Sequence, residues 1–151
     1  MKPHLPATAA LLLTLLAPLR ISAHMAPTPL KSHINKRRPL LVFTPTPEDS
    51  RAVQQAALLH GHAAEIKERN IAVYILPLDM PEDGSLTTQD AAAARTRFHI
   101  APTAFTVILL GKDGGEKLRT TTPVTPDQLF QLIDAMPMRQ QEMKNRAAPV
   151  R

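Results

Sequence analysis

The sequence predicts an α/β domain: a mixed four-stranded sheet flanked by helices, in the order β-α-β-α-β-β-α. Three observations carry this. Three short apolar runs (39–44, 71–76 and 103–110) have the continuous hydrophobicity of strands buried on both faces. Stretches with apolar residues every three or four positions separate them. A Lys112-Asp113-Gly114-Gly115 turn then joins the third run to a shorter segment that alternates charged and apolar or Thr side chains.

Length and composition set the frame. At 151 residues the chain has room for one domain. With 44% hydrophobic and 21% charged residues it can bury a core and is not a disordered polyelectrolyte. It has no Cys, which excludes disulfides, thiolate metal sites, iron–sulfur clusters and thiol nucleophiles. With one Tyr and no Trp, it lacks a stacking platform for single-stranded nucleic acid.

The first 23 residues read as a secretory signal peptide. Lys2 gives a basic start, residues 5–19 form the apolar region, and Ser22-Ala23 supplies small residues for cleavage near Ala23. The run is shorter than the ~20 residues of a membrane span and holds Pro6 and Pro18. Retention as an anchor is the alternative. The expectation is a periplasmic or secreted protein with no membrane span after cleavage. Residues 24–38, with two prolines and Lys31, Lys36, Arg37 and Arg38, read as a basic linker. The domain is expected over 39–146, with a disordered tail at 147–151. The net charge of +5 sits in the ends, because residues 39–138 carry eight bases against twelve acids. Nucleic acid is therefore not an expected partner.

The elements follow in order. After the first strand, Thr46 is the expected N-cap of a helix with Pro47 in its first turn. Val53, Ala56, Ala57, His60, Ala63, Ala64 and Lys67 give it a 3–4 spacing as far as Arg69. The second strand, 71–76, ends at Pro77, and a loop covers 78–86. Thr87 or Thr88 opens a helix through four alanines to Phe98. Joined by a helix, the first two strands are expected to be parallel. Residues 116–121 form an edge strand antiparallel to the third. Thr125-Pro126-Asp127-Gln128 is a capping box with Pro at the first helical position. The third helix runs to about Ala135, and Pro137 separates it from a polar helix reaching Arg146.

This strand and helix order is that of the thioredoxin fold. Ile100-Ala101-Pro102-Thr103, with the strand, turn and capped helix that follow, resembles the second half of thioredoxin. The resemblance makes Pro102 the candidate cis-proline. The redox Cys-x-x-Cys of thioredoxins would fall in Thr44-Pro45-Thr46-Pro47-Glu48-Asp49-Ser50-Arg51, where both thiols are absent. Phe43-Thr44-Pro45 also resembles the peroxiredoxin loop, again without its Cys. A fuller resemblance rests on Gly111-Lys112-Asp113-Gly114-Gly115 and Asp134-Ala135-Met136-Pro137-Met138-Arg139. These look like the domain-of-unknown-function family 4174, over about residues 38–145. That family occurs in exported bacterial proteins and in vertebrate extracellular proteins of the sushi-repeat-containing type. The resemblance implies a thioredoxin-like fold and an extracytoplasmic location, and leaves the chemistry open.

The residues with chemistry to offer are Lys112, Asp113, Lys117, Arg119, Asp134 and Arg139. With Gly114-Gly115 at the centre of the turn, Lys112 sits opposite Lys117, and Arg119 shares its face. With Asp113-Gly114 at the centre, Lys117 faces Leu110 instead. Pro137 is expected to aim Arg139 toward the sheet or the hairpin, with Asp134 pairing Lys112 or Lys117. The group is then either a structural clamp between last helix and hairpin, or a binding patch for an anionic ligand or acidic partner. His60 and His62 diverge by about 200° on a helix and cannot chelate one metal. His24, the N-terminus after cleavage, is the remaining route to metal. Ser50 has no nucleophile elbow, and phosphate-loop, dinucleotide and zinc-hydrolase motifs are absent. No cofactor and no resident metal are expected. Two functions stand: a redox-inactive domain that binds a protein or small ligand, and a non-thiol enzyme using Lys112, Lys117, Asp134 and Arg139 on an anionic substrate.

Overall fold

The computed structural model describes residues 29–78 and 88–147. The expected signal peptide, His24, all but the first residue of the expected 78–86 loop and residues 148–151 of the expected tail lie outside them. Four strands, β1 (Arg38–Thr44), β2 (Ile71–Pro77), β3 (Thr106–Leu110) and β4 (Glu116–Thr120), form one sheet in the order β2-β1-β3-β4. β1 is parallel to β2 and antiparallel to β3, and β3 is antiparallel to β4. The central strands are buried at every position, which is why β1 and β3 read as unbroken apolar runs. β4 lies at an edge with its charged residues outward.

Helices cover both faces. α1 (Ser50–Leu59), α2 (Ala63–Glu68) and α4 (Pro126–Asp134) lie on one side, over a core of Leu40, Val42, Val107, Leu109, Leu129 and Ile133. α3 (Thr88–Phe98) lies on the other, over Leu41, Phe43, Leu76, Ile108 and Leu110. Its buried residues, Ala91, Ala94, Arg95 and Phe98, form one helical stripe. Each fully buried aliphatic side chain contributes about 1.5–3 kcal/mol. α5 (Pro137–Ala147) follows α4 after a two-residue corner. The capping box is formed as expected: Thr125 Oγ1 accepts from Gln128 N–H, and the Gln128 side-chain Oε1 accepts from Thr125 N–H.

Four sequence expectations need correction. Helix α1 starts at Ser50, with Asp49 as its N-cap accepting from Arg51 N–H. Thr46 is instead held in a turn, its carbonyl accepting from Thr44 Oγ1 at 2.8 Å and from Asp49 N–H. The helix does not run on to Arg69: it breaks at Gly61, whose φ of +87° is left-handed, and resumes as α2. Its inward face is Ala52, Gln55 and Leu59, whereas Val53, Ala56 and Ala57 are exposed. Gln55 is tolerated inside because its amide pairs both ways with Val124, donating at 3.0 Å and accepting at 2.7 Å. Third, residues 101–104 precede β3 as a turn closed by Ala104 N–H to Ala101 C=O at 3.0 Å.

The fourth concerns the candidate cis-proline: the Ala101–Pro102 bond is trans. Pro102 is the second residue of that turn, a position its fixed φ suits, and it is exposed.

Of the stretch expected to be a linker, residues 29–38 are described, and they are ordered against the core. Pro29–His33 form a 3-10 helix, Leu30 is buried, His33 Nε2 lies 2.6 Å from the Tyr74 hydroxyl, and Arg38 opens β1.

Candidate functional site

The hairpin and the α4–α5 corner meet at one end of the sheet. The turn is closed by Gly111 N–H to Gly115 C=O (2.8 Å) and Gly114 N–H to Gly111 C=O (3.0 Å), with Gly114 at φ +76°. Leu109 faces Leu118 and Leu110 faces Glu116, so Lys117 is the extra residue of a β-bulge. Beyond the bulge the strands keep the register of an Asp113-Gly114 centre, but Glu116 and not Lys117 faces Leu110, and Lys112 and Lys117 are not cross-strand partners. The bulge re-aims Lys117 back over Gly111. A Cβ on Gly111 would lie 2.5 Å from Lys117 Cε, so the glycine makes room for the lysine.

The lysines have separate partners. Lys117 Nζ pairs with the exposed Asp113 at 2.7 Å. Lys112 is nearly buried and pairs with Glu142 of α5 at 2.8 Å. Glu142 also takes both guanidinium nitrogens of Arg38, at 3.0 and 3.3 Å. Burial opposes ionisation of Glu142, but hydrogen bonds from Arg38 and Lys112 outweigh it and hold the carboxyl below its ordinary value. Arg38 is fully buried; it also donates to Arg69 C=O at 2.9 Å, and its Nε has no partner among the described residues.

Asp134 and Arg139 belong to a second cluster. Asp134 pairs with Arg69 at 2.6 Å and with Arg139 Nε at 3.0 Å. Arg139 is buried and also reaches Glu68 at 2.7 Å, while Arg146 reaches Glu68 at 3.1 Å. The expected pairing of Asp134 with Lys112 or Lys117 is therefore replaced by Arg69 and Arg139. Pro137 turns Arg139 inward between α2 and α4, away from the hairpin. Arg119 pairs with Glu116 at 2.7 Å and donates to Phe98 C=O on the α3 side, so it does not share a face with Lys117.

Between hairpin and corner lies a cleft of 340 Å3, lined by Arg38, Gly111, Lys112, Asp113, Lys117, Met136, Pro137 and Met138. Three of the six singled-out residues, Lys112, Asp113 and Lys117, line it; Arg119, Asp134 and Arg139 do not. Of the four side chains of the enzyme alternative, Lys112 and Lys117 line the cleft and Asp134 and Arg139 lie behind it, the two groups bridged by Glu142, which Lys112 meets at 2.8 Å and Arg139 at 3.9 Å. Sequence reasoning missed Arg38, assigned to a linker, and its partner Glu142. The thioethers of Met136 and Met138 were legible only as part of a motif.

A second polar feature marks the ends of β1 and β2. Arg95, nine-tenths buried, donates to Thr44 C=O at 2.5 Å, Leu76 C=O at 3.0 Å and Ala101 C=O at 3.3 Å. It ties the first-strand loop to the Pro102 turn, and burial lowers its pKa. Among the described residues no grouping of three or more His, Cys, Asp or Glu side chains is placed to hold a metal. His60 is exposed, and His62 packs edge-on against Phe130.

Comparison with known proteins agrees with this architecture. Residues 29–142 match the family described as Domain of unknown function (DUF4174). Sushi repeat-containing protein SRPX of Homo sapiens is 29% identical over 131 residues, covering 83% of this chain and 28% of that protein. Coiled-coil domain-containing protein 80 of Danio rerio is 30% identical over 127 residues, covering 72% of this chain and 15% of that protein. The chain thus spans less than a third of the length of these curated relatives. Among solved structures, reduced Plasmodium vivax 2-Cys peroxiredoxin superposes with a TM-score of 0.57 at 16% identity, covering 76% of this chain and 84% of that one. Plasmodium yoelii Prx1a gives 0.54 at 18% identity, covering 80% and 83%. At such identities the likeness is one of fold. With the sheet order, the helices on both faces and the matched span in agreement, this chain belongs to the DUF4174 family and has a thioredoxin-like fold without cysteine.

Proposed function

We propose that this chain is an exported binding module that uses the thioredoxin-like fold as a scaffold, and that the cleft between hairpin and α4–α5 corner is its binding surface. The observation that carries the reading is the cleft itself. It brings Lys112 and Lys117 together over an apolar wall of Met136, Pro137 and Met138, the pattern of a site that orients a ligand with few polar groups. Export rests on the signal-peptide pattern of the first 23 residues and on the similarity to sushi repeat-containing proteins. Among the described residues no helix is long and apolar enough to cross a membrane. The absence of thiols removes dithiol exchange, and the enzyme alternative lacks its expected pairing, because Asp134 is held by Arg69 and Arg139 and by neither lysine.

A second surface is favoured by one observation. Arg95 joins the first-strand loop to the Pro102 turn at the carboxyl ends of two parallel strands, where α/β folds often bind ligands. A photo-crosslinking residue at Met138 separates the surfaces, with the same residue at the exposed Pro102 for comparison. The cleft reading expects a recurring adduct at 138 that Lys117→Glu abolishes. Adducts at 102 alone would transfer the function to the first-strand loop.

A further inference from the structure

Resting on the cleft as binding surface, we infer that its ligand is a small amphipathic carboxylate: an anionic head held by Lys117 and the amino end of α5, with an unbranched apolar tail against Met136 and Met138. Four features converge. The lining cations Arg38, Lys112 and Lys117 outnumber the lining acid Asp113, and Glu142 behind them leaves one cation in excess.

The positive charge is unequally committed. Arg38 and Lys112 are tied to Glu142, while among the described residues Lys117 pairs only with Asp113, which is half exposed, and can exchange it for a ligand. Arg38 adds a fully buried guanidinium whose Nε is unpartnered in the lining of the same cleft.

The third feature is α5. It begins at Pro137 in the cleft wall and has no acid in its first turn. The Gln140 N–H takes the Met136 carbonyl, which leaves the amides of Met138 and Arg139 ahead of the first helical bond. A helix amino end so placed favours negative charge.

The fourth is the wall. Thioethers are flexible and adapt to an alkyl chain, and Met138 is exposed at the rim. A volume of 340 Å3 suits a small molecule.

The test titrates the full exported chain with straight-chain carboxylates from butanoate to decanoate, below their micellar concentrations, reading the Met136 and Met138 methyl resonances. The amines of equal length are the controls. Affinity should rise about fourfold per methylene until the cleft is filled. The amines should bind at least about tenfold more weakly. Lys117→Gln, at a half-exposed position, should keep its melting temperature and lose about tenfold in carboxylate affinity. Equal binding of carboxylate and amine, or no loss in Lys117→Gln, would overturn the inference. If neither series moves the two methyls but other fragments do, the anion inference fails and the cleft reading survives. If nothing moves them, both fail.

Discussion

Arg139 Nε donates to Asp134 Oδ1 at 3.0 Å across the Pro137 corner, and this pair locks α5 to α4. Arg139 is buried and held by Glu68 as well, so the corner that forms one wall of the cleft is fixed from behind. Removing the guanidinium leaves Asp134 with Arg69 and Glu68 with Arg146, which softens the loss. Arg139→Met is expected to cost about 2 kcal/mol, or a melting temperature lower by ~5 °C. Thermal unfolding checks this; an unchanged melting temperature would show that the pair does not hold the corner.

Asp134 and Glu142 make stability depend on acid. Burial works against both carboxylates, but hydrogen bonds from Arg69 and Arg139, and from Arg38 and Lys112, hold their pKa values below the ordinary range. Glu68 is lowered by its hydrogen bond from Arg139. The unfolded chain therefore takes up protons first as pH falls. The contribution of these three carboxylates is complete above the unfolded values near ~4 and is lost as pH drops through the depressed folded ones. Burial, with Arg37 and Lys36 nearby, also lowers the His33 pKa, so a smaller loss starts as pH falls through about 6.5, and the main shift of the unfolding curves to lower temperature comes below about pH 4. Glu142→Gln should flatten that acid limb; an unaltered limb would remove Glu142 from the account.

Gln55 offers a test of the corrected helix face. Its amide satisfies both backbone groups of Val124 inside the core. Gln55→Leu would strand a buried N–H and C=O, at about 2–4 kcal/mol. The exposed Val53→Gln should change stability by less than about 0.5 kcal/mol. Denaturant midpoints for the two variants decide it. The reverse order would reinstate the face read from the sequence.

Gly111 and Gly61 are required for different reasons. A Cβ at Gly61 meets nothing within 4 Å, so Gly61→Ala pays only for the left-handed backbone, about 1 kcal/mol. A Cβ at Gly111 presses on the Lys117 and Asp113 side chains, which can move aside. Gly111→Ala should therefore spare the fold, with a loss under about 1 kcal/mol. It should nonetheless weaken ligand binding by displacing Lys117. Unfolding and binding measured on the same sample separate the two effects.

The sheet was legible because its signals are local. Central strands carry unbroken apolar runs, Asp113-Gly114-Gly115 marks the turn, and Thr125 to Gln128 carries the whole capping box. The phase of α1 was not, since Ala52, Val53, Ala56, Ala57, Leu58 and Leu59 leave no polar face to orient it. The inward Gln55 is explained only by Val124, 69 residues away. Arg38 looked like linker because its neutralising partner, Glu142, lies 104 residues further on. The same holds for Asp134, whose partner Arg69 lies 65 residues earlier. Local charge spacing reveals i,i+3 pairs such as Arg119–Glu116, and the long-range pairs that build the cleft emerge only from packing.

The most direct test of the cleft is a fragment screen read by backbone amide and methionine methyl shifts on the full chain. The account predicts that binding fragments cluster on Gly111, Lys117, Met136 and Met138, and that Lys117→Glu removes them. Fragments gathering instead on residues 44–50 and Pro102, with the methionine methyls unmoved, would contradict it.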